Sequence, residues 1–202
     1  MTAPKPLELW LVRHARPLAP EGLCYGRLDL PADAAHTQAR AEALARAWQA
    51  SPADDGPAMA WHSPSARAHA LARAAAACGL PHATADARLQ EMDFGHWEGQ
   101  PWDGIARNAL DAWAQDFFHH CPGQGESVAR LLTRVADALR DGLSQAHACG
   151  ARRVLWFTHA GVIRAVEVCL RQPGLQPPTS MAARDWPSTV CDFGHWIVHR
   201  ME

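Results

Sequence analysis

The chain of 202 residues is poor in lysine: Lys5 stands alone among 19 basic residues, and the others are arginine. A bound phosphate group would therefore meet planar guanidinium forks, not ammonium point charges. There is no basic excess either. The formal net charge is -2, which argues against a general nucleic-acid-binding surface. No apolar run nears the ~20 residues that a membrane span needs. Met1 to Pro6 lacks the basic-then-apolar layout of a secretory signal. The six cysteines (Cys24, Cys78, Cys121, Cys149, Cys169 and Cys191) are scattered, with no CxxC. That usage reads as reduced thiols in the cytoplasm and not as a disulfide frame. No carboxylate cluster suits magnesium, so neither a metal nor another cofactor is expected.

What is present is 48% hydrophobic, enough for one domain with a single substantial core. Glu8 to Arg13 is a short apolar run, read as a buried strand. Pro31 to Ala50 carries Ala41, Leu44, Ala45 and Trp48 at helical spacing. Ser51 to Pro57 is a loop by its Pro, Asp and Gly content, and Ala58 to Trp61 a second strand. Ser63-Pro64 looks like a helix start, with Ser63 as N-cap, and Gly79 closes that helix. Thr84 to Leu89 is taken as a third strand, and Glu91 to Phe118 as a loop with short helices. Val128, Leu131, Leu132, Val135 and Leu139 form an amphipathic stripe ending at Gly150. Arg153 to Thr158 is a strand, Gly161 to Leu170 a helix, and Val190 to Val198 a last strand at the sheet edge. Alternating strands and helices imply a three-layer α/β/α sandwich around a mostly parallel sheet. The expected organisation is one domain over 1–202, with 91–122 as a cap-like insertion.

Two histidines occupy equivalent places. His14 follows the strand ELWLVR, and His159 follows RVLWFT. Ligands of open α/β sheets bind beyond the carboxyl ends of strands. If these strands are neighbours, both imidazoles meet at one spot. Arg13 lies beside His14, and Arg67 falls in the first turn of the helix after the second strand. Two imidazoles and two guanidiniums suit a phosphoryl dianion, with helix N-termini adding N–H donors.

LVRHARP resembles the RHG signature of the histidine phosphatase superfamily, the phosphoglycerate-mutase-like fold. SPSARAHALA is similar to its SPxxRAxxTA segment, LQEMDFGHWEG to LxExxxGxWEG, GQGES to GGES, and FTHAGVIRA to its strand–HxG–helix element. The matches span residues 9 to 165 in family order. The resemblance implies that His14 is the nucleophile that becomes phosphohistidine, that Arg13, Arg67 and His159 complete the phosphate pocket, and that Glu91 is the proton donor and acceptor. Ala15 stands in place of the RHG glycine. Pro20 stands where the mutases carry a phosphate-binding Asn, and the usual Thr of the second segment is missing. CYGRLDLPAD together with EMDFGHWEG looks most like the α-ribazole phosphatases of cobalamin assembly.

The expected activity is metal-independent hydrolysis of a small-molecule phosphomonoester, with phosphoglycerate mutase as the alternative. Arg13 should keep His14 neutral by repulsion of like charge, and the pH profile should be bell-shaped, peaking from mildly acidic to neutral pH. Tyr25 and Arg27 could touch the leaving group, or could belong to a structural turn around Gly26. Trp97, Trp102, Trp113, Phe117 and Phe118 could stack on a flat base, or fill a helix core. His119-His120-Cys121 reads as a surface loop and Arg152-Arg153 as a solvated strand start. Neither a nucleic-acid nor a membrane partner is implied, and the oligomeric state is left open.

Overall fold

A computed structural model describes residues 6–51 and 56–201. Met1 to Lys5, Glu202, and Pro52 to Asp55 of the expected loop lie outside the described residues. The chain runs β1 (Leu7–Arg13), α1 (Ala34–Ala50), β2 (Ala58–His62), α2 (Ala66–Ala77), β3 (Thr84–Ala85), α3 (Arg107–Gln115), α4 (Val128–Cys149), β4 (Arg153–Thr158), α5 (Ala160–Leu170) and β5 (Trp196–Met201). The sheet order is β3-β2-β4-β1-β5. Only β5 is antiparallel to its neighbour; the other pairings are parallel.

β1 and β4 read as unbroken apolar runs because both of their faces are covered. Along β1 and β4, Leu9, Leu11, Val154 and Trp156 point into a layer with α4 and α5. Trp10, Val12, Leu155 and Phe157 point the other way, against α1 and α2. This alternation is the period-two geometry of strands, and it makes the molecule the expected three-layer sandwich. The helix leaving β1 packs on one face and the helix leaving β4 on the other. Neighbouring strands whose exits diverge in this way open a crevice at their carboxyl ends.

Local chemistry sets the helix bounds. Asp33 caps α1, its side chain accepting from His36 N–H at 2.9 Å. Ser127 caps α4 through the N–H of Arg130 at 3.3 Å. Gly150, at φ 70°, ends α4 in the left-handed conformation that only glycine adopts without strain. The N-cap of α2 is Ser65, not Ser63; the Ser63 hydroxyl is engaged elsewhere, as described below. The expected third strand shrinks to Thr84–Ala85, and Ala87–Leu89 forms a 3₁₀ turn. Asp86 drives that change, its carboxylate accepting from Arg88 N–H at 2.8 Å and so capping the turn. The last strand starts at Trp196 rather than Val190 and continues to Met201. Gly194, with φ 72°, turns the chain just before it. No helix among the described residues is long and apolar enough to cross a membrane.

Leu11 lies fully buried in β1 with no exposed surface. Leu11→Ala should lower the unfolding free energy by about 2–5 kcal/mol, measured by urea titration with an unchanged m-value.

Candidate active site

The β1–β4 register pairs Arg13 with Thr158. The next residues, His14 and His159, are therefore adjacent, and His14 N–H donates to the Thr158 carbonyl at 2.9 Å. Their ring centroids lie 5.0 Å apart. Both are buried.

The state of His14 follows from its partner. Nδ1 lies 2.8 Å from the Ala15 carbonyl oxygen, which can only accept. Nδ1 therefore carries the hydrogen, and the lone pair sits on Nε2. Burial lowers the His14 pKa to about 3, helped by the charge of Arg67 and, less, that of Arg13. Desolvation thus outweighs the Arg13 repulsion expected from sequence. His159 is held well below the usual imidazole range, again chiefly by burial. Its Nε2 donates to Ser63 Oγ at 2.8 Å, and Nδ1 accepts from Arg67 at 3.3 Å. This bond to Nε2 is where the Ser63 hydroxyl is engaged.

Arg67 is wholly buried. Its guanidinium donates to the carbonyls of Leu28 at 2.9 Å and Gly26 at 2.5 Å. Arg13 donates to the Cys191 carbonyl at 2.8 Å and lies 3.9 Å from the centroid of the Phe193 ring. Among the described residues neither guanidinium forms an ion pair, and the buried Nε of each lacks a hydrogen-bond partner. The carboxylates of Glu91, Asp29 and Glu98 act on Arg67 from beyond ion-pair distance, and two guanidiniums beside neutral imidazoles are chemically suited to an anion.

Glu91 stands at the edge of this group. Its carboxylate accepts from Met92 N–H at 3.0 Å and from Gly161 N–H, at the start of α5, at 3.0 Å. Glycine at 161 lets the Glu91 carboxylate approach, because a Cβ there would lie 2.2 Å from it and push it aside. At α2, the N–H of Ala66 is taken by Asp29 at 2.7 Å. The helix-end N–H groups of Ala66 and Gly161 thus serve the protein's own carboxylates.

Tyr25 stacks against the Arg67 guanidinium, 5.3 Å from ring centroid to charge. It borders a cavity of about 280 Å³ that also reaches Glu91 and is walled by Phe94, Trp113, Phe117 and Trp186. A second cavity of about 460 Å³ lies on Tyr25 and Phe193 and holds none of the other candidate groups. Arg27 is placed differently: its guanidinium is 3.8 Å from Asp93 and 3.7 Å from Glu126. Gly26 belongs to a tight approach, since a Cβ there would lie 1.8 Å from the Met92 carbonyl oxygen. Of the aromatic residues singled out from sequence, Trp97 and Phe118 are buried in the packing. Trp113 and Phe117 face the cavity.

Sequence reasoning passed over four supporting side chains. Ser63 orients His159. Glu98 accepts from the N–H groups of Arg27 at 2.9 Å and Phe94 at 2.9 Å, and also from that of Leu28. Arg134 pairs with Glu126. Ser63, Glu98 and Glu126 sit inside the quoted motif segments, so the motif spacing was the available signal. Arg134 lies on the helix, with no local cue.

The low imidazole pKa values make stability depend on pH. Below about 6.5 the unfolded chain binds protons that folded His14 and His159 refuse. Stability is complete above that value and should fall by up to about 1.4 kcal/mol per pH unit per histidine as pH drops from 6.5 towards 4. Urea unfolding at a series of pH values reads this slope, which should be shallower in His14→Gln. Gly161→Ala should displace the Glu91 carboxylate and lower kcat/KM by about tenfold or more, with far-UV circular dichroism unchanged.

The profile of the histidine phosphatase superfamily (branch 1) matches residues 9–184. Comparison with curated proteins gave no match. Among solved structures, a phosphoglycerate mutase from Thermus thermophilus is 34% identical, with a TM-score of 0.60 over 85% of this chain and 89% of that one. The protein TTHB049 from the same organism is 33% identical, with a TM-score of 0.60 over the same shares, 85% and 89%. A mycobacterial glucosyl-3-phosphoglycerate phosphatase shares the fold at 24% identity, with a TM-score of 0.69 over 85% of this chain and 82% of that one. With the profile covering most of its length, the chain belongs to the histidine phosphatase superfamily.

Proposed function

We propose that the protein is a metal-independent phosphomonoesterase working through a phosphohistidine at His14. The observation that carries this reading is the pairing of a neutral, Nδ1-protonated His14 with two guanidiniums that have no counter-ion among the described residues. In the first step Nε2 of His14 attacks phosphorus and the P–O bond to the leaving group breaks. Glu91 delivers its proton to the departing oxygen, giving the free alcohol. Charge spreads over three equatorial oxygens as this happens. Arg13 and Arg67 neutralise it, the part that a metal ion plays in other phosphoryl-transfer sites. In the second step water attacks phosphorus, Glu91 takes the water proton, and the P–N bond breaks to release phosphate and neutral His14. The Nδ1–H bond to Ala15 persists throughout.

The leaving group lies in the aromatic cavity beside Glu91. Its volume of about 280 Å³ sits at the small end of ligand pockets, which run from about 300 to 1,000 Å³. That suits a nucleoside-sized group. Phe94, Trp113, Phe117 and Trp186 offer flat apolar walls for an aromatic base. Together with the resemblance of CYGRLDLPAD and EMDFGHWEG to α-ribazole phosphatases, this favours α-ribazole 5′-phosphate as substrate. The activity would serve cobalamin assembly in the cytoplasm, with no nucleic-acid or membrane partner.

A mutase reading draws on the phosphoglycerate mutase among the similar structures. Phosphoglycerate would present a carboxylate to the cavity, whose cationic lining among the described residues is Arg164 alone, and Pro20 stands where mutases carry a phosphate-binding Asn. Incubation with 3-phosphoglycerate separates the two: phosphate release marks a hydrolase, and interconversion with 2-phosphoglycerate marks a mutase. His14→Ala should lose turnover and acid-labile phosphoenzyme labelling, whereas wild-type activity should survive EDTA. Substantial turnover by His14→Ala in EDTA would refute the assignment. Among α-ribazole 5′-phosphate, sugar phosphates and phosphoglycerates, the first should show the highest kcat/KM.

A further inference from the structure

We infer that Arg134 and Thr158 are positioning residues that hold the backbone of Glu91 in register with the leaving group. The inference rests on the general-acid reading of Glu91 given above. Glu91 lies in an irregular segment, after the Ala87–Leu89 turn and outside every strand. No sheet ladder fixes its backbone, yet four consecutive carbonyls are held. Arg134 donates to Arg88 O at 2.6 Å, Gln90 O at 2.7 Å and Glu91 O at 3.1 Å. Thr158 Oγ1 donates to the intervening Leu89 O at 2.8 Å. Both side chains belong to regular elements, α4 and β4, and Thr158 immediately precedes His159.

The donor arithmetic is specific to arginine. Its guanidinium carries five N–H bonds in a rigid plane. Three go to those carbonyls, and the other two make a bidentate pair with Glu126 at 2.7 and 2.8 Å. Every donor is used, and a lysine ammonium with three donors cannot reproduce the set. The charge is also matched, because Glu126 neutralises it where both side chains are largely buried, at 15% and 9% exposure. Arg134 is thus the electrostatic opposite of Arg13 and Arg67, which have no counter-ion among the described residues. It organises the segment and leaves the phosphoryl charge to them. The same Glu126 is 3.7 Å from Arg27, so Arg27 joins the frame around Glu91.

A misplaced general acid hurts most when the leaving group needs a proton. Alkoxides need one, whereas p-nitrophenolate departs without help. The constant to read is kcat/KM, because it covers only the steps through leaving-group departure. Glu91→Gln, Arg134→Lys and Thr158→Val are each compared on an alkyl monoester, glycerol 2-phosphate, and on p-nitrophenyl phosphate. Arg134→Lys should lose about tenfold or more on the alkyl ester and stay within about threefold on the aryl ester. Thr158→Val should show the same selectivity, and carries the test if Arg134→Lys does not fold. Adding Arg134→Lys to Glu91→Gln should cost little more on the alkyl ester than Glu91→Gln alone. Equal losses on both esters by Arg134→Lys or Thr158→Val, with Glu91→Gln selective, would overturn the positioning role and leave the general acid standing. A non-selective Glu91→Gln would overturn the general-acid reading, and the positioning inference with it.

Discussion

The parallel ladder between β1 and β4 decides where the two imidazoles meet. Arg13 faces Thr158 across it, and the chain continues on each side into a histidine. Sheet side chains alternate with a period of two, so a slip by one residue would turn Leu9, Leu11, Val154 and Trp156 from one layer to the other. The cost of burying those side chains wrongly is what locks the register. The chemistry at the strand ends inherits its precision from packing several residues away. Ser63, with its N–H on the Phe157 carbonyl at 2.9 Å, extends the same arrangement to the β2 side and brings a hydroxyl to His159.

Around that point the protein separates its charges by task. Arg13 and Arg67 donate to backbone carbonyls and form no ion pair among the described residues. Arg134, Arg88 and Arg27 lie close by but face carboxylates: Glu126, Asp86 and Asp93 respectively. The same residue type therefore performs two kinds of work within a few residues of Glu91. Desolvation adds a third element. The imidazoles are neutral because charging them in a dry, cationic pocket is unfavourable, and a neutral imidazole is the nucleophilic form.

Much of this was readable from the chain itself, for physical reasons. β1 and β4 are doubly covered and therefore announce themselves as apolar runs. The residues after them, and Arg67 at a helix start, are placed by strand and helix ends alone. The α4 stripe from Val128 to Leu139 and the glycine stop at Gly150 are equally local signals. What escaped was what depends on distant partners. The N-cap of α2 moved to Ser65 because Ser63 is drawn to His159, 96 positions along the chain. β3 is two residues long because Asp86 prefers to cap a turn. β5 is an edge strand whose extent is set by its pairing with β1, and its own pattern is weak. From its place in the chain Arg27 suited either a pocket contact or a turn, and its guanidinium lies near Asp93 and Glu126. Arg134 is one arginine among many on a helix until its five acceptors are assembled by the fold.

The close approach at Gly26 has a mechanical consequence. Gly26 is pressed against Met92, and the flanking backbone is tied to the neighbouring segment by Cys24 N–H to Gln100 O at 2.7 Å and Gly99 N–H to Cys24 O at 2.9 Å. Glu98 rivets the same two stretches together through two more amides, those of Arg27 and Leu28, and holds Phe94 N–H within its own stretch. The strip that carries Tyr25 and the one that carries Phe94 are thus joined like two boards, and neither can swing without tearing the other. On that side the opening is framed by two cross-linked strips, which gives it a firm jamb.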